Sequence, residues 1–256
     1  MDEVDEVRPA PAELPSDRAE KISEIIARQI VRDIARGRYR PGTMLPPEAV
    51  MLERFRVGRA SLREALRILE VYGLITIKPG PGGGPIVQDV TARQFARTST
   101  FYFHLHGATF RDLLEARRAI DPMMARLAAT SADPDALERL KASVSDTRHA
   151  YEEGNLPRWR RHTDDFHLLV AGVSGNHILD LFGRSLKELY SERLESRVVG
   201  KSDRPTVLAE HSAIATAIVR RRPAEAERLM AEHMETFTAL TMRLVSGLLD
   251  DVLDWR

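Results

Sequence analysis

The sequence predicts a mainly α protein in two parts: a small unit of three helices closed by a two-stranded hairpin, then a larger all-α antiparallel bundle. Three observations carry this. Apolar residues recur at helical spacing through most of the chain. The one convincing pair of short strands flanks a glycine-rich tip, at Leu74–Ile77 and Ile86–Val87. Beyond Asp89 no further strand pattern occurs.

Residues 1–16 are acidic and proline-rich, with too little apolar surface to repay ordering, and are expected to form a disordered tail. A helix is expected from about Arg18 to Arg36, with Ile22, Ile25, Ile26, Ile30 and Ile34 as its apolar stripe. Gly37 and Pro41-Gly42 end it. A second helix begins near Pro47 and runs to about Phe55, and Val57-Gly58 makes the turn into a third, about Arg59 to Tyr72. Leu62, Ala65, Leu66 and Leu69 form the buried stripe of that third helix, while Arg59, Arg63 and Arg67 stand four apart on another face. The hairpin tip, Pro79 to Pro85, holds four glycines. Helix, turn, helix and hairpin in this order form a winged helix-turn-helix, which places one helix in the DNA major groove.

After the hairpin, helices are expected at about Thr91–Leu105, Phe110–Thr130, Pro134–Glu153, Pro157–Val173, Asn176–Val198, Thr206–Arg220 and Ala224–Leu249. Short connections between them suit an antiparallel bundle. The expected organisation is therefore a tail over 1–16, a DNA-binding unit over 17–89 and a helical effector-binding and dimerisation unit over 90–256.

Composition bounds the function. There is no cysteine, which excludes a disulfide framework and thiolate chemistry and fits a reducing cytosol. No apolar run reaches the roughly 18–20 residues of a membrane span, and the N-terminus is unlike a secretory signal, so a cytoplasmic location without membrane contact is expected. The formal charge is zero overall, but from Arg28 to Arg67 ten arginines face four acids. Charge on the segment that meets the partner is the quantity that matters, so the neutral total does not exclude DNA.

Arginine matches guanine O6 and N7, and phosphate, in two-pronged fashion, which makes Arg59 and Arg63 near the start of the third helix candidates for DNA contact. Ser61 can donate to a phosphate, as can the backbone N–H groups of that helix end. Lys78 and the glycines from Gly80 to Gly84 make a tip without bulk that can approach a groove closely. In the second unit His167, His211 and His233 fall on three different expected helices, each in an apolar or small-residue setting. Convergence inside a bundle would suit zinc or another first-row metal; separate core or surface histidines are the alternative. Trp159 and Phe101-Tyr102-Phe103 read as core or interface, as does the stripe of Phe237, Leu240 and Leu244.

The stretch PGTMLPPEAVMLERFRVGRASLREALRILEVYGLITIKPG resembles the DNA-binding domain of GntR-family transcriptional regulators. The resemblance puts Arg59 and Arg63 at DNA-contacting positions, with Ser61 and Gly80 beside them. Gly58, Ala49 and Ala60 depart from the polar residues usual there, which implies a reduced contact set. FRDLLEARRAIDPMMARLAA, DDFHLLVAGVSGN, EHSAIATAI and AEHM resemble, in order, the FCD ligand-binding domain of the FadR subgroup. That resemblance implies a divalent metal on one Asp and three His, with a small carboxylate effector at or near it. The family's Asp position, four before the first His, is Thr163 here. Either Asp164, three before His167, completes the site, or three histidines hold the metal with water or effector in the remaining place. Arg118, through the R-x-x-D of Arg118 and Asp121, is implied as the effector's carboxylate partner.

The expectation is a ligand-responsive regulator, a repressor by the family's habit, that binds a pseudo-palindromic operator as a homodimer. A regulator responding to metal alone is the nearer rival, and a three-His metalloenzyme the more distant one. Against the enzyme stands the lack of a HExxH-type run or of a general base at motif spacing.

Overall fold

The computed structural model describes residues 21–80, 82–89, 91–131, 133–194 and 199–253, with only the backbone at 192–194. The expected tail, the first three residues of the first expected helix and the end of the helix expected to reach Val198 lie outside the described residues. The chain divides into two compact units, Met1–Val90 and Thr91–Arg256.

The first unit contains α1 (Ile22–Ala35), α2 (Glu48–Phe55), α3 (Arg59–Val71), β1 (Ile75–Lys78) and β2 (Gly84–Val87). Leu62, Ala65, Leu66 and Leu69 are buried on α3, the stripe that their spacing predicts. They meet Ile26 and Ile30 of α1, Met51 of α2 and Ile75 and Val87 of the hairpin in one core. The α2–α3 turn is closed by Arg56, which sits in the left-handed region at φ 53°.

The buried face of α1 differs from expectation. Ser23, Ile26, Ala27, Ile30 and Asp33 are buried, whereas Ile22 and Ile25 are 57% and 50% exposed. The stripe is rotated toward Asp33 because this fully buried carboxylate accepts from Arg38 at 2.8 Å and from Arg54 of α2. Two of the ten arginines of the basic segment are thereby committed to structure. Replacing Asp33 with alanine should cost this unit about 1–3 kcal/mol, the scale of a lost charged hydrogen-bond acceptor. Hydrogen exchange of the α1 and α3 amides would show it as faster opening.

β1 and β2 pair antiparallel, with Ile75 opposite Val87 and Lys78 opposite Gly84. The chain just before α2 adds a third edge that the sequence did not suggest, with the Leu45 amide donating to the Pro85 carbonyl at 2.8 Å. At the tip a Cβ on Gly83 would lie 2.2 Å from the Lys78 carbonyl oxygen, so only glycine fits that approach. Gly80, at φ +95°, turns the chain there.

The second unit is an all-α bundle of α4 (Ala92–Leu105), α5 (Phe110–Ala128), α6 (Pro134–Glu152), α7 (Leu156–Val173), α8 (His177–Leu194), α9 (Arg204–Val219) and α10 (Pro223–Leu244), with a 3-10 turn at Ser246–Leu248. Side-chain caps start several of these helices, Asn176 accepting from the Ile178 and Leu179 amides at α8. Thr109 accepts from the Asp112 amide, Asp133 from Asp135 and Ala136, and Asn155 from Arg158. α5 packs on α10, α6 on α7, α9 on both α6 and α10, and α4 on α8. Met124, Leu140, Phe166, Val170, Ile214, Ile218 and Met230 fill the centre. Among the described residues no helix is long and apolar enough to cross a membrane.

Candidate metal centre and DNA-binding surface

The helical packing just described carries three imidazoles inward. His167 comes from α7, His211 from α9 and His233 from α10, and the last two are only 2% exposed. Their Nε2 atoms converge, 3.2 Å apart between His211 and His233 and 3.3 Å between His233 and His167. The outward Nδ1 atoms of two rings face carboxylates. His233 Nδ1 lies 2.7 Å from Glu210, and His167 Nδ1 lies 3.1 Å from Asp121 of α5, close in distance though poorly aligned for a hydrogen bond. His211 stacks on Phe166, with ring centroids 4.0 Å apart.

A carboxylate on Nδ1 holds the proton there and leaves Nε2 as a lone pair. With the proton on Nδ1 beside Glu210 in His233 and beside Asp121 in His167, two lone pairs face each other across 3.3 Å, an arrangement that a cation between them stabilises. The spacing suits one: imidazole nitrogens at ordinary metal–nitrogen distances around a tetrahedral ion are about 3.3 Å apart. Three neutral imidazoles also fit a first-row divalent metal by donor chemistry.

The electrostatics favour that neutral state. Burial lowers the His167 pKa to about 4, Arg117 and His233 push the same way, and contact with Asp121 only partly offsets them. Burial, with the other two histidines, holds His211 well below the usual range. Burial would raise Asp121, but Arg117 and His167 outweigh it and hold its carboxyl below the usual value.

A stability consequence follows for protein kept in chelator. Unfolded imidazoles take up protons near pH 6.5, whereas His167 in the fold does so only near pH 4. Stability is therefore fully present above about pH 6.5 and declines as the pH falls toward 4. His167 alone should account for about 3 kcal/mol of the decline. Urea midpoints at pH 7 and pH 4.5 would measure it, and equal midpoints would contradict the neutral-imidazole arrangement.

Beside the histidines lies a cavity of about 40 Å³, lined among others by Arg117, Thr163, Asp164, Lys187, Tyr190 and Phe237. That is room for about three water-sized groups. The arginine at this cavity is Arg117, and the expectation for Arg118 is corrected. Arg118 sits on the surface with its side chain 40% exposed and pairs with Glu235 of α10. Arg117 is 3% exposed, donates to Asp121 at 3.0 Å, and lies against the rings of Tyr190 at 5.2 Å and Phe237 at 5.8 Å. It belongs to the buried stripe of α5 with Leu113, Leu114 and Asp121, and one residue further turns Arg118 about 100° away.

Asp164 also lines the cavity, but among the described residues the metal-ligating atoms that gather are those of His167, His211 and His233. The carboxylate that meets a ligating ring is Asp121, from a different helix. At Thr163, the family's Asp position, the hydroxyl is buried without a hydrogen-bond partner. Tyr190, whose phenol burial pushes up, closes another wall.

In the first unit Arg59, Arg63, Lys78 and Gly80 are exposed and Ser61 is half-buried. Arg59 begins α3, whose N-cap, Gly58, offers no side chain to its first amides, so these N–H groups remain available to an anion. The Arg63 side chain is 70% exposed and lies 3.5 Å from Glu48. These positions fall on the third helix and on the hairpin next to it.

Residues 22–83 match the family described as bacterial regulatory proteins, gntR family, and residues 112–236 match the FCD domain. The chain is 29% identical over 242 residues to an uncharacterized HTH-type transcriptional regulator of Mycobacterium tuberculosis, covering 92% of this chain and 94% of that one. It is 27% identical over 227 residues to the Glc operon transcriptional activator of Escherichia coli K12, covering 86% and 89%. A solved GntR structure from Streptococcus agalactiae shares the fold at a TM-score of 0.68 and 24% identity, covering 85% of this chain and 99% of that one.

Proposed function

Since this chain belongs to the GntR family of transcriptional regulators and carries an FCD domain, as a regulator and not an enzyme, we propose that its operator affinity is set by a small carboxylate bound at a metal in the helical unit. In this reading two copies bind a pseudo-palindromic operator, each presenting α3 and the wing to one half-site. Arg59 and Arg63 read or clamp the DNA, Ser61 and the α3 amides position phosphate, and Lys78 and Gly80 bring the wing to the backbone.

The observation that carries the sensing half is the set of three Nε2 atoms turned toward one point, with Glu210 bonded to Nδ1 of His233 and Asp121 beside Nδ1 of His167. His167, His211 and His233 would hold zinc or a similar first-row ion, which supplies a Lewis-acidic anchor for a carboxylate oxygen. Asp121 and Glu210 orient two of the rings. Arg117, already held by Asp121 and two aromatic faces, offers a fixed guanidinium to the carboxylate. The remaining coordination place is left to effector or water, with Asp164 on the cavity wall.

Ligand binding here and DNA binding at α3 are then two linked equilibria, and each must shift the other by the same factor. Repression relieved by the acid is the proposed sign. The test is selection of bound DNA from a random pool, followed by affinity measurements with and without zinc and a panel of short carboxylates. A lower affinity for the selected site when zinc and one acid are both present supports the reading. The small cavity gives a second reading its footing: if metal alone changes the affinity and no acid does, the protein responds to metal.

A further inference from the structure

Two arginines, Arg54 and Arg56, stand at the end of helix α2, and the fold uses them differently. Arg54 donates to the buried Asp33, and its guanidinium lies 5.0 Å from the centre of the Phe55 ring. Arg56 is exposed, and among the described residues its guanidinium meets no carboxylate, carbonyl or aromatic ring. Its backbone is nevertheless left-handed, at φ 53° and ψ 48°.

That conformation is unfavourable for a residue with a Cβ and open to glycine. The helices on either side end in the usual way, α1 at Gly37 with φ +74° and α3 at Gly73 with φ +69°. The α2–α3 turn is closed by backbone groups. The Arg56 amide donates to the Glu53 carbonyl and the Val57 amide to the Leu52 carbonyl, each at 3.3 Å. The Arg56 side chain therefore holds a glycine-like position and adds no contact to the turn it sits in. A role outside the folded unit accounts for both facts.

Its place in the chain says which role. The first residues of a reading helix reach base edges, so the turn just before them lies at the rim of the groove, where the phosphates run. Between Phe55 and Ser61 the side chains able to donate are Arg56, Arg59 and Ser61, while Val57, Gly58 and Ala60 offer none. We infer that Arg56 is a further DNA contact, a phosphate clamp at the rim of the groove that anchors the start of α3. A guanidinium meets a phosphate in two-pronged fashion, and this one is free to do so. The inference rests on the reading above that α3 enters the groove, and it adds a residue from the turn to that contact set.

The experiment measures binding of the selected operator and of a scrambled duplex over a series of salt concentrations. It compares the full chain with its Arg56→Gly, Arg56→Asn and Arg56→Lys variants. Glycine and asparagine accept the left-handed backbone, so those two variants should unfold at or above the wild-type temperature. Both should bind operator and scrambled duplex alike about 5- to 10-fold more weakly per copy at about 0.1 M salt, with a salt slope shallower by about 0.9. Arg56→Lys keeps the charge and should recover most of the affinity and of the slope. Unchanged affinity and slope in Arg56→Gly would overturn the proposal. So would a loss confined to the operator, which would make Arg56 a base reader, or an Arg56→Lys no better than Arg56→Gly. A lower unfolding temperature in the glycine and asparagine variants, with binding unaltered, would assign the arginine to the fold instead. Failure of the α3 reading would look different, as an operator affinity that Arg59→Ala and Arg63→Ala together leave unchanged.

Discussion

Replacing Arg59 and Arg63 together with alanine is expected to lower affinity for the selected operator by about 30- to 20,000-fold. The range follows from about 1–3 kcal/mol for each arginine that reads a base, added over two sites. Both side chains are exposed, and the buried face of α3 is made by Leu62, Ala65, Leu66 and Leu69. The helix should therefore form unchanged in the variant, and the loss should report contact alone. Arg63 must also leave Glu48, 3.5 Å away, to meet DNA, so Glu48→Gln should strengthen binding slightly where the arginine trio remains. Lys78→Ala gives the contrast: a phosphate contact weakens all sequences about equally and lowers the salt slope by about 1. Fluorescence anisotropy on operator and scrambled duplexes over a series of salt concentrations separates the two. Unchanged operator affinity in the double variant would remove α3 as the reading helix.

Where the chain's own chemistry is local, the sequence displayed it. Leu62, Ala65, Leu66 and Leu69 recur at the helical period, and the structure buries those four. The glycine-rich tip between two short β-branched runs is the wing, and Gly83 is there because no Cβ fits. The three histidines were visible as residues, but their meeting depends on how α7, α9 and α10 pack, which no spacing within one helix encodes.

The carboxylates behind the rings were hidden for the same reason. Asp121 reaches His167 from α5, and Glu210 reaches His233 from the neighbouring helix. A signal for Arg117 did exist: it stands four residues after Leu113 and four before Asp121, within an apolar stripe, so a buried charged pair could be read from the period. The R-x-x-D spacing drew attention to Arg118 instead. On α1 five isoleucines overrode a buried aspartate, and the fold resolved the conflict in favour of Asp33, because two arginines come to it from elsewhere in the chain.

The largest effect in the helical unit should come from the ligating rings, and it can be separated from that of their supports. His211→Ala and His233→Ala should each reduce zinc bound after dialysis from about one ion per chain to almost none, since each removes one of three converging donors. Asp121→Asn and Glu210→Gln should still bind stoichiometrically at high zinc, with affinity lowered by about 10- to 100-fold, the usual cost of losing a carboxylate behind a histidine ligand. Asp164→Ala tests whether that carboxylate adds a fourth donor: a fall as large as that of the histidine variants would make it a ligand, and an unchanged affinity would leave the place to water or effector. Stability gives the same answer by a second route. At zinc 100-fold above the dissociation constant the wild type should gain about 2.7 kcal/mol over its chelated form, while His211→Ala gains almost nothing. The comparison within each protein cancels the packing change made by the substitution, including loss of the Phe166 stack, so a persistent zinc gain in His211→Ala would mean that the ion sits elsewhere.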